Sequence, residues 1–526
     1  PSKVFGAPIF IQDLRFENML HARIVRPPRE DALLERIDTS GLTGATCFQS
    51  GSFVAALSDS EVGARKAAEH LEDRCSWHEV SIGNNLDEDW LTTQEPISTT
   101  IERSLQPVST EDLSSFSADY SRAFQAHAAL SPSMAVAFRD GDKLTVWAHG
   151  QGMYPLRGAI AATLGIPTEA VTCIHAQSSG VYGHNGADDA ACDAALIAWH
   201  TPNRHIRLQY SRSDEFAIEP LGSAMKTHIN AMMDKSGHIV RWDASVTSGP
   251  HSARPMGRKG SPHLRAANLK ETPIAKISAS PIARPNGGGD RNIVPLYDVG
   301  ALNIEKAFIP NTPTRVSALR GLGAFANVFA IESCMSELAD LTQQDHFEFR
   351  LKHLSDSRAI EVLQTLQKKC QARSRALSLL PGIAMARYKN SGAYCAIGAF
   401  IDPSKPEKIR VTEVIAVVDA GLIVNPDGAE NQIEGGVIQS TSWTLKESVD
   451  VANGTRSCSD WASYPILTFS EVPEVDVSFI NPSNGPSLGV GEAAQGPCAA
   501  AIANAVSLTW GKRIRSLPLH LPIQKT

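Results

Sequence analysis

Apolar and polar positions alternate in several short runs, and each of these predicts a strand: APIFIQDL (7–14), LHARIVRPP (20–28), SFVAALS (52–58), SMAVAFRD (133–140), KLTVWAHG (143–150), HIRLQYSR (205–212) and KIRVTEVIAVVDA (408–420). Between them lie segments with helical spacing, from VGARKAAEHLEDR (62–74) through LRGAIAATLG (156–165) and GADDAACDAALIAWH (186–200) to ANVFAIESCMSELADL (326–341) and NQIEGGVIQSTSWTLKES (431–448). The polar stretch NNLDEDWLTTQEPISTTIERSLQ (84–106) reads as a linker. HSARPMGRKGSPHLRAANLKETPIAK (251–276), rich in Pro and Gly, reads as a long surface excursion. No unit of 20–50 residues repeats. The class is α+β or α/β, with at least two domains.

A second pattern overlies the first. Glycine-rich turns run into apolar helices in SSGVYGHNGADDAACDAAL, RGLGAFANVFAIES, NPDGAENQIEGGVIQ and LGVGEAAQGPCAAAIANAV. Such turns expose backbone N–H groups at a helix start, which suits anions. One turn alone signals only a tight bend or close packing. Four turns, each with an isolated polar residue (His184, Arg320, Gln432, Glu492), point to one shared anionic cofactor.

Composition narrows the possibilities. The 526 residues are 42% hydrophobic, enough for a large core, and the net charge of −7 with no dense Lys/Arg block excludes the footprint of a nucleic-acid binder. CAAAIANAVSLTW, the longest apolar run, is too short to span a bilayer. The nine cysteines are scattered, without C-x-x-C or ferredoxin spacing, so this chain supplies no thiolate site for zinc, haem or an iron–sulfur cluster. Position 1 is Pro rather than Met, so an earlier segment is expected, and the compartment, cytoplasmic or periplasmic, stays open.

The stretch NGPSLGVGEAAQGP matches two unrelated motifs that both fail. Gly489, Gly491 and Ala494 spell the dinucleotide pattern, yet none of the 32 residues after Ala494 is acidic. Gly485, Ser487 and Gly489 spell a nucleophile elbow. The only later acid, Glu492, is five positions on and the only later histidine is His520, which does not build the Ser–acid–His order. Glu492 itself is left between a glycine turn and an apolar helix, where it reads as a base or as a helix-start acid favoured by the dipole.

In order and spread, these segments resemble the molybdenum subunit of the xanthine oxidase and aldehyde oxidase family of molybdenum hydroxylases over nearly the whole chain. VFGAPIFIQDLRFENMLHARIVRPP with SFVAALSDSEVGARKAAEHL is similar to its small α/β-hammerhead domain. The resemblance implies an α+β fold: a hammerhead domain at 1–105, then molybdopterin-binding parts at 106–345 and 346–526 made of mixed sheets and helices. HGQGMYPLR places on Gln151 the family's hydrogen bond to an oxo ligand of molybdenum. SSGVYGHNG brings Tyr182 and Gly183 to the metal and pterin, RGLG puts Arg320 beside the cofactor, and NQIEGGVIQ gives Gln432 a pterin contact. LGVGEAAQGP, similar to the family's G-V-G-E loop, makes Glu492 the catalytic base with Gly491 at the cofactor. No protein side chain ligates the metal directly.

YGHNGADDA, RYKNSGAYCA, DWASYPIL and GEAAQGP resemble most the nicotinate dehydrogenase and isoquinoline 1-oxidoreductase branch. The resemblance implies hydroxylation of an N-heteroaromatic, nicotinate-like substrate with oxygen from water. The cofactor would be a molybdopterin, as a dinucleotide such as the cytosine form. A partner subunit with [2Fe–2S] clusters would carry the electrons away, followed by a flavoprotein or cytochrome c. Aldehyde oxidation by the same base and a non-catalytic scaffold are the alternatives. Two departures stand out. Tyr182 replaces the usual phenylalanine, and His184 with Asn185 stand where the family often has Gly and Lys; they either meet the substrate or brace the turn. The family's G-x-E-x-G-Q-G loop is absent, which implies that a separate or cleaved polypeptide completes the cofactor cleft.

Overall fold

The computed structural model describes residues 3–30, 32–78, 90–104, 113–256, 260–405, 408–452, 454–483 and 485–520. Apolar alternation builds three main sheets. A seven-stranded mixed sheet has the order Val171–His175, Lys143–Ala148, Met134–Asp140, His205–Gln209, Met19–Val25, Phe53–Ser58, Thr46–Ser50. Met19–Val25 pairs in parallel with His205–Gln209, so this sheet carries strands from both sides of residue 105. Helix Ala187–His200 covers one face, its alanines letting it lie close to the strands, and helix Met153–Leu164 packs beside it. Helix Glu61–Glu72, capped by Ser60, covers the Met19–Val25 and Phe53–Ser58 end.

The second sheet has six strands, in the order Ser516–Leu517, Ser114–Arg122, Met225–Met233, Ile239–Ser248, Ala301–Phe308, Ile97–Ser104. The third has four: Gly382–Arg387, Tyr394–Ile401, Val411–Asp419, Glu474–Phe479. Helices Ala324–Leu341 and Gln495–Trp510 pack on each other between these two sheets in the largest apolar core. Gly382 permits the closest approach. A Cβ there would lie 2.1 Å from both the Ala501 carbonyl oxygen and the Ala505 nitrogen, so strand and helix meet backbone to backbone. Among the described residues no helix is long and apolar enough to cross a membrane.

Three expectations are corrected. Ile97–Ser104 is not linker but an edge strand, paired antiparallel to Ala301–Phe308. Nearly all its side chains face solvent, so no apolar alternation marks it. The first six residues of that stretch, 84–89, lie outside the described residues. Residues 251–276 are not a surface excursion throughout. His251, Leu264, Arg265 and Ala266 are buried, and helix Arg265–Leu269 packs against Ala187–His200, the polar residues held by partners such as Asp189. APIFIQDL forms a short 3₁₀ turn at Ile11–Asp13 with one bridge from Phe10 to Gln177 rather than a strand, Asp13 folding back onto the Phe10 N–H.

Candidate active site

Two glycine turns are knotted together first. Gly183 has φ +131, and a Cβ there would stand 1.9 Å from the Ala318 carbonyl oxygen, so only glycine fits. The turn then bridges to Leu319, the His184 N–H donates to the Ala318 carbonyl at 3.0 Å, and the Arg320 N–H donates to the Tyr182 carbonyl at 2.8 Å. Behind this knot His127 Nε2 donates to the same Ala318 oxygen at 2.9 Å. Burial pulls the His127 imidazole down to about 4, so it is neutral there. Its Nδ1 lies 3.6 Å from Glu219, whose carboxyl is pushed well above the carboxylate range by burial and by Glu215.

Helix Gln495–Trp510 begins just after Glu492 and presents its carboxylate to the second turn. Oε1 accepts from the Gly321 N–H at 2.7 Å, and Oε2 accepts from the Tyr388 hydroxyl at 2.5 Å. Arg291 Nη1 donates to the Tyr388 oxygen at 2.6 Å and lies 3.9 Å from Oε2. Burial first, then the neighbouring carboxylate, push the Tyr388 hydroxyl far above its ordinary value, so it remains a proton donor to Glu492. The Glu492 side chain keeps 28% of its surface exposed, open to a reactant.

Arg320 acts as a clamp. Its Nε and Nη2 donate to the Gly491 carbonyl at 2.8 and 2.5 Å, Nη2 also reaches the Gln432 carbonyl and Oε1 at 3.2 Å, and Nη1 reaches Gln439 Oε1 at 3.2 Å. With its amide oxygen turned toward the guanidinium, Gln495 accepts from Arg320 as well and donates to the Glu492 carbonyl at 3.1 Å. The structure thus joins Tyr182, Gly183, Arg320, Gln432, Gly491 and Glu492 through direct contacts. Gln151 is exposed before helix Met153–Leu164 and makes no side-chain hydrogen bond among the described residues. Its neighbour Gly150 lies on Asp188, which holds His184 Nδ1 at 2.8 Å. Both His184 and Asn185 are buried, and Asn185 Oδ1 accepts from the Ala187 N–H at the start of its helix.

Gly491, whose carbonyl Arg320 holds, leaves open space where a side chain would stand, and so do Gly489 in the same loop and Gly435 on the helix that carries the exposed Gln432. This bare backbone with cationic and amide donors fits an anionic, hydrogen-bonding cofactor such as a molybdopterin.

Comparison with known proteins agrees. Residues 107–253 and 388–473 each match a molybdopterin cofactor-binding domain. A nicotinate dehydrogenase subunit of Pseudomonas putida is 31% identical over 99% of this chain and 45% of its own length. The chain belongs to the molybdenum hydroxylase family. The beta subunit of isoquinoline 1-oxidoreductase from Brevundimonas diminuta is 28% identical over 75% of this chain and 48% of its own. The chain spans about half the length of these curated relatives. Quinoline 2-oxidoreductase from Pseudomonas putida 86 superposes with a TM-score of 0.76 over 98% of this chain and 95% of that one, at 14% identity. Aldehyde oxidoreductase from Desulfovibrio gigas gives 0.77 over 98% and 78%, also at 14%. These last two are likenesses of fold.

For this member of the family, sequence reasoning missed Tyr388, which donates to Glu492, and Arg291, which lies behind it. The run PNGGGDRN was the available signal. Its Gly288 carbonyl accepts from the Gly323 N–H at 3.1 Å, and a Cβ on Gly323 would collide with Gly288 and Gly289. That contact sets Arg291 against the Arg320 turn.

Proposed function

We propose that this chain is the molybdopterin-binding subunit of a hydroxylase that inserts a water-derived oxygen at an electrophilic carbon of an N-heteroaromatic, nicotinate-like substrate. The observation that carries the reading is Glu492, half-open at a glycine-lined cleft and oriented by donors on both carboxylate oxygens. When bound, the molybdenum cofactor supplies the two-electron redox chemistry. Glu492 takes the proton that the water-derived oxygen loses as it attacks the ring carbon, assistance that typically contributes about 10²–10⁴-fold. Tyr388 and the Gly321 N–H hold the carboxylate toward the cleft, and Arg320 fixes the Gly491 carbonyl so that the loop does not swing away. Gln151, Tyr182, Gly183, Gln432 and Gly491 line the cofactor side, and a pterin dinucleotide is the form we infer. Electrons leave through a [2Fe–2S] subunit, and a further polypeptide segment completes the cleft. The names of the relatives, subunits of nicotinate and isoquinoline oxidoreductases, support the substrate class.

Glu492→Gln tests the reading. Molybdenum content stays and turnover falls by about 10²-fold or more; unchanged turnover removes Glu492 as base. Reaction in H₂¹⁸O with a panel of heteroaromatics and aldehydes places the label on a ring carbon, whereas label only in carboxylic acids makes the enzyme an aldehyde oxidoreductase.

A further inference from the structure

Around Glu492 the charges do not balance. Arg291 donates to Tyr388 and to the Asn286 and Gly287 carbonyls, and so is committed to holding the turn. Lys389 is not committed in this way. Its Nζ lies 5.3 Å from the centre of the Tyr388 ring, and among the described residues it has neither an ion pair nor a side-chain hydrogen bond. Arg254 likewise forms no ion pair with a carboxylate among the described residues, although Arg291, Glu492, Asp188 and Tyr388 are all within its electrostatic reach. Its position is built: the preceding carbonyl of Ala253 accepts from Ser317 Oγ at 3.2 Å, next to the Ala318 knot, and the residue is packed in part while keeping surface open to solvent.

The backbone also favours a purpose for Lys389. It has φ +56 and Asn390 φ +55, a left-handed pair that glycine or asparagine adopts with less strain than lysine. Asn292 Oδ1 pins the Lys389 N–H at 2.8 Å, and Asn390 Nδ2 reaches the Val294 carbonyl at 2.9 Å. The turn therefore carries a half-buried ammonium on the Oε2 side of Glu492. Arg320, Gly491 and Gln432 form the other flank. Burial first, then Arg291, lower both cations from their ordinary values, with Glu492 acting in the opposite direction on each.

We propose that Arg254 and Lys389 form the seat for a carboxylate carried by the substrate, placed beside Glu492 so that the ring lies across the base. This rests on the hydroxylase reading above and adds the anionic substituent and the two residues that select it. The guanidinium provides a planar pair of donors and the ammonium a point charge, a combination suited to one carboxylate.

The test uses the purified molybdenum-loaded complex containing this chain, with Arg254→Gln and Lys389→Gln. Kinetics with pyridine-3-carboxylate and the neutral pyridine-3-carboxamide give a ratio of kcat/KM values. That ratio exceeds one in the wild type and falls roughly 10- to 100-fold in each variant, the range of a hydrogen bond to a charged group. Calorimetric titration with benzoate against benzamide reads the seat without turnover: benzoate binds the wild type more tightly, and the preference disappears in the variants. If no heteroaromatic is hydroxylated but the benzoate preference is present and variant-sensitive, the hydroxylase reading fails and the seat stands. A ratio and a benzoate preference unchanged in both variants overturn the seat. Loss of molybdenum from both variants also overturns it, because the cations would then hold the cofactor's own anionic group.

Discussion

Glu492 is held from two sides that differ in construction. On one side lies the glycine knot, where Gly183 and Ala318 meet backbone to backbone, with His127 and Glu219 buried behind them. On the other lies the Tyr388 turn, where side chains act: a phenol, a guanidinium and a lysine on a left-handed backbone. The knot fixes shape by leaving no room, and the turn tunes chemistry by placing charge. Errors in the first should therefore appear as lost fold and cofactor, and errors in the second as lost rate.

The largest expected effect is on the knot. Gly183→Ala places a methyl against the Ala318 oxygen at a φ that L-residues rarely adopt, and should destabilise by about 3 kcal/mol or more, with molybdenum lost. Thermal unfolding and metal analysis read it, and a variant of normal stability would dissolve the distinction. Next comes the turn. Tyr388→Phe removes a hydrogen bond to a charged group, so kcat/KM should fall about 10- to 100-fold while molybdenum content and unfolding temperature hold. Loss of metal in that variant would make the turn structural like the knot.

A third prediction uses pH at Glu447, which is buried beside Ser442 and Tyr464. Burial pushes the Glu447 carboxyl up to about 7. The folded protein then binds a proton that the unfolded chain releases above its ordinary value, so the stabilising contribution is present at low pH and is lost as pH rises through about 7. Glu447→Gln keeps the neutral form. Relative to that variant, the wild type should lose about 1–3 kcal/mol between pH 5 and pH 8 in denaturant titrations. A constant difference across that range would place Glu447 in an ordinary polar setting. The smallest effect contrasts with the first. Gly435→Ala lies inside helix Pro426–Leu445 with open space around it, so stability should rise by about 0.5–1 kcal/mol. If the added methyl also lowers cofactor occupancy, the open space belongs to the cleft.

The same division explains what could be read in advance. The knot was legible because its glycine turns run into apolar helices; that pattern singled out His184, Arg320, Gln432 and Glu492, and the family resemblance added Gly183. The Tyr388 turn was not. Tyr388 and Glu492 are 104 positions apart, and no helix follows PNGGGDRN or RYKN, so neither carried the turn-then-helix signal. Strands such as His205–Gln209 and Val411–Asp419 were read from their apolar runs. Met225–Met233 and Ile239–Ser248, which alternate as clearly, were not, and Ile97–Ser104, exposed along its length, carries no alternation to read. The buried helix Arg265–Leu269 was masked because polar partners satisfy it rather than apolar ones, and those partners, Glu30 and Asp189, are distant in sequence.

The contact at Gly382 bears on all of this mechanically. Strand Gly382–Arg387 is pressed at its first residue onto helix Gln495–Trp510, and it delivers Tyr388 at its far end just as the helix delivers Glu492 at its near one. Strand and helix behave as a pair of calipers locked at the hinge, with the phenol and the carboxylate as jaws. The gap between proton donor and base is then a fixed gauge, indifferent to movement of the outer loops. A methyl at position 382, some distance from any reactant, would open the jaws.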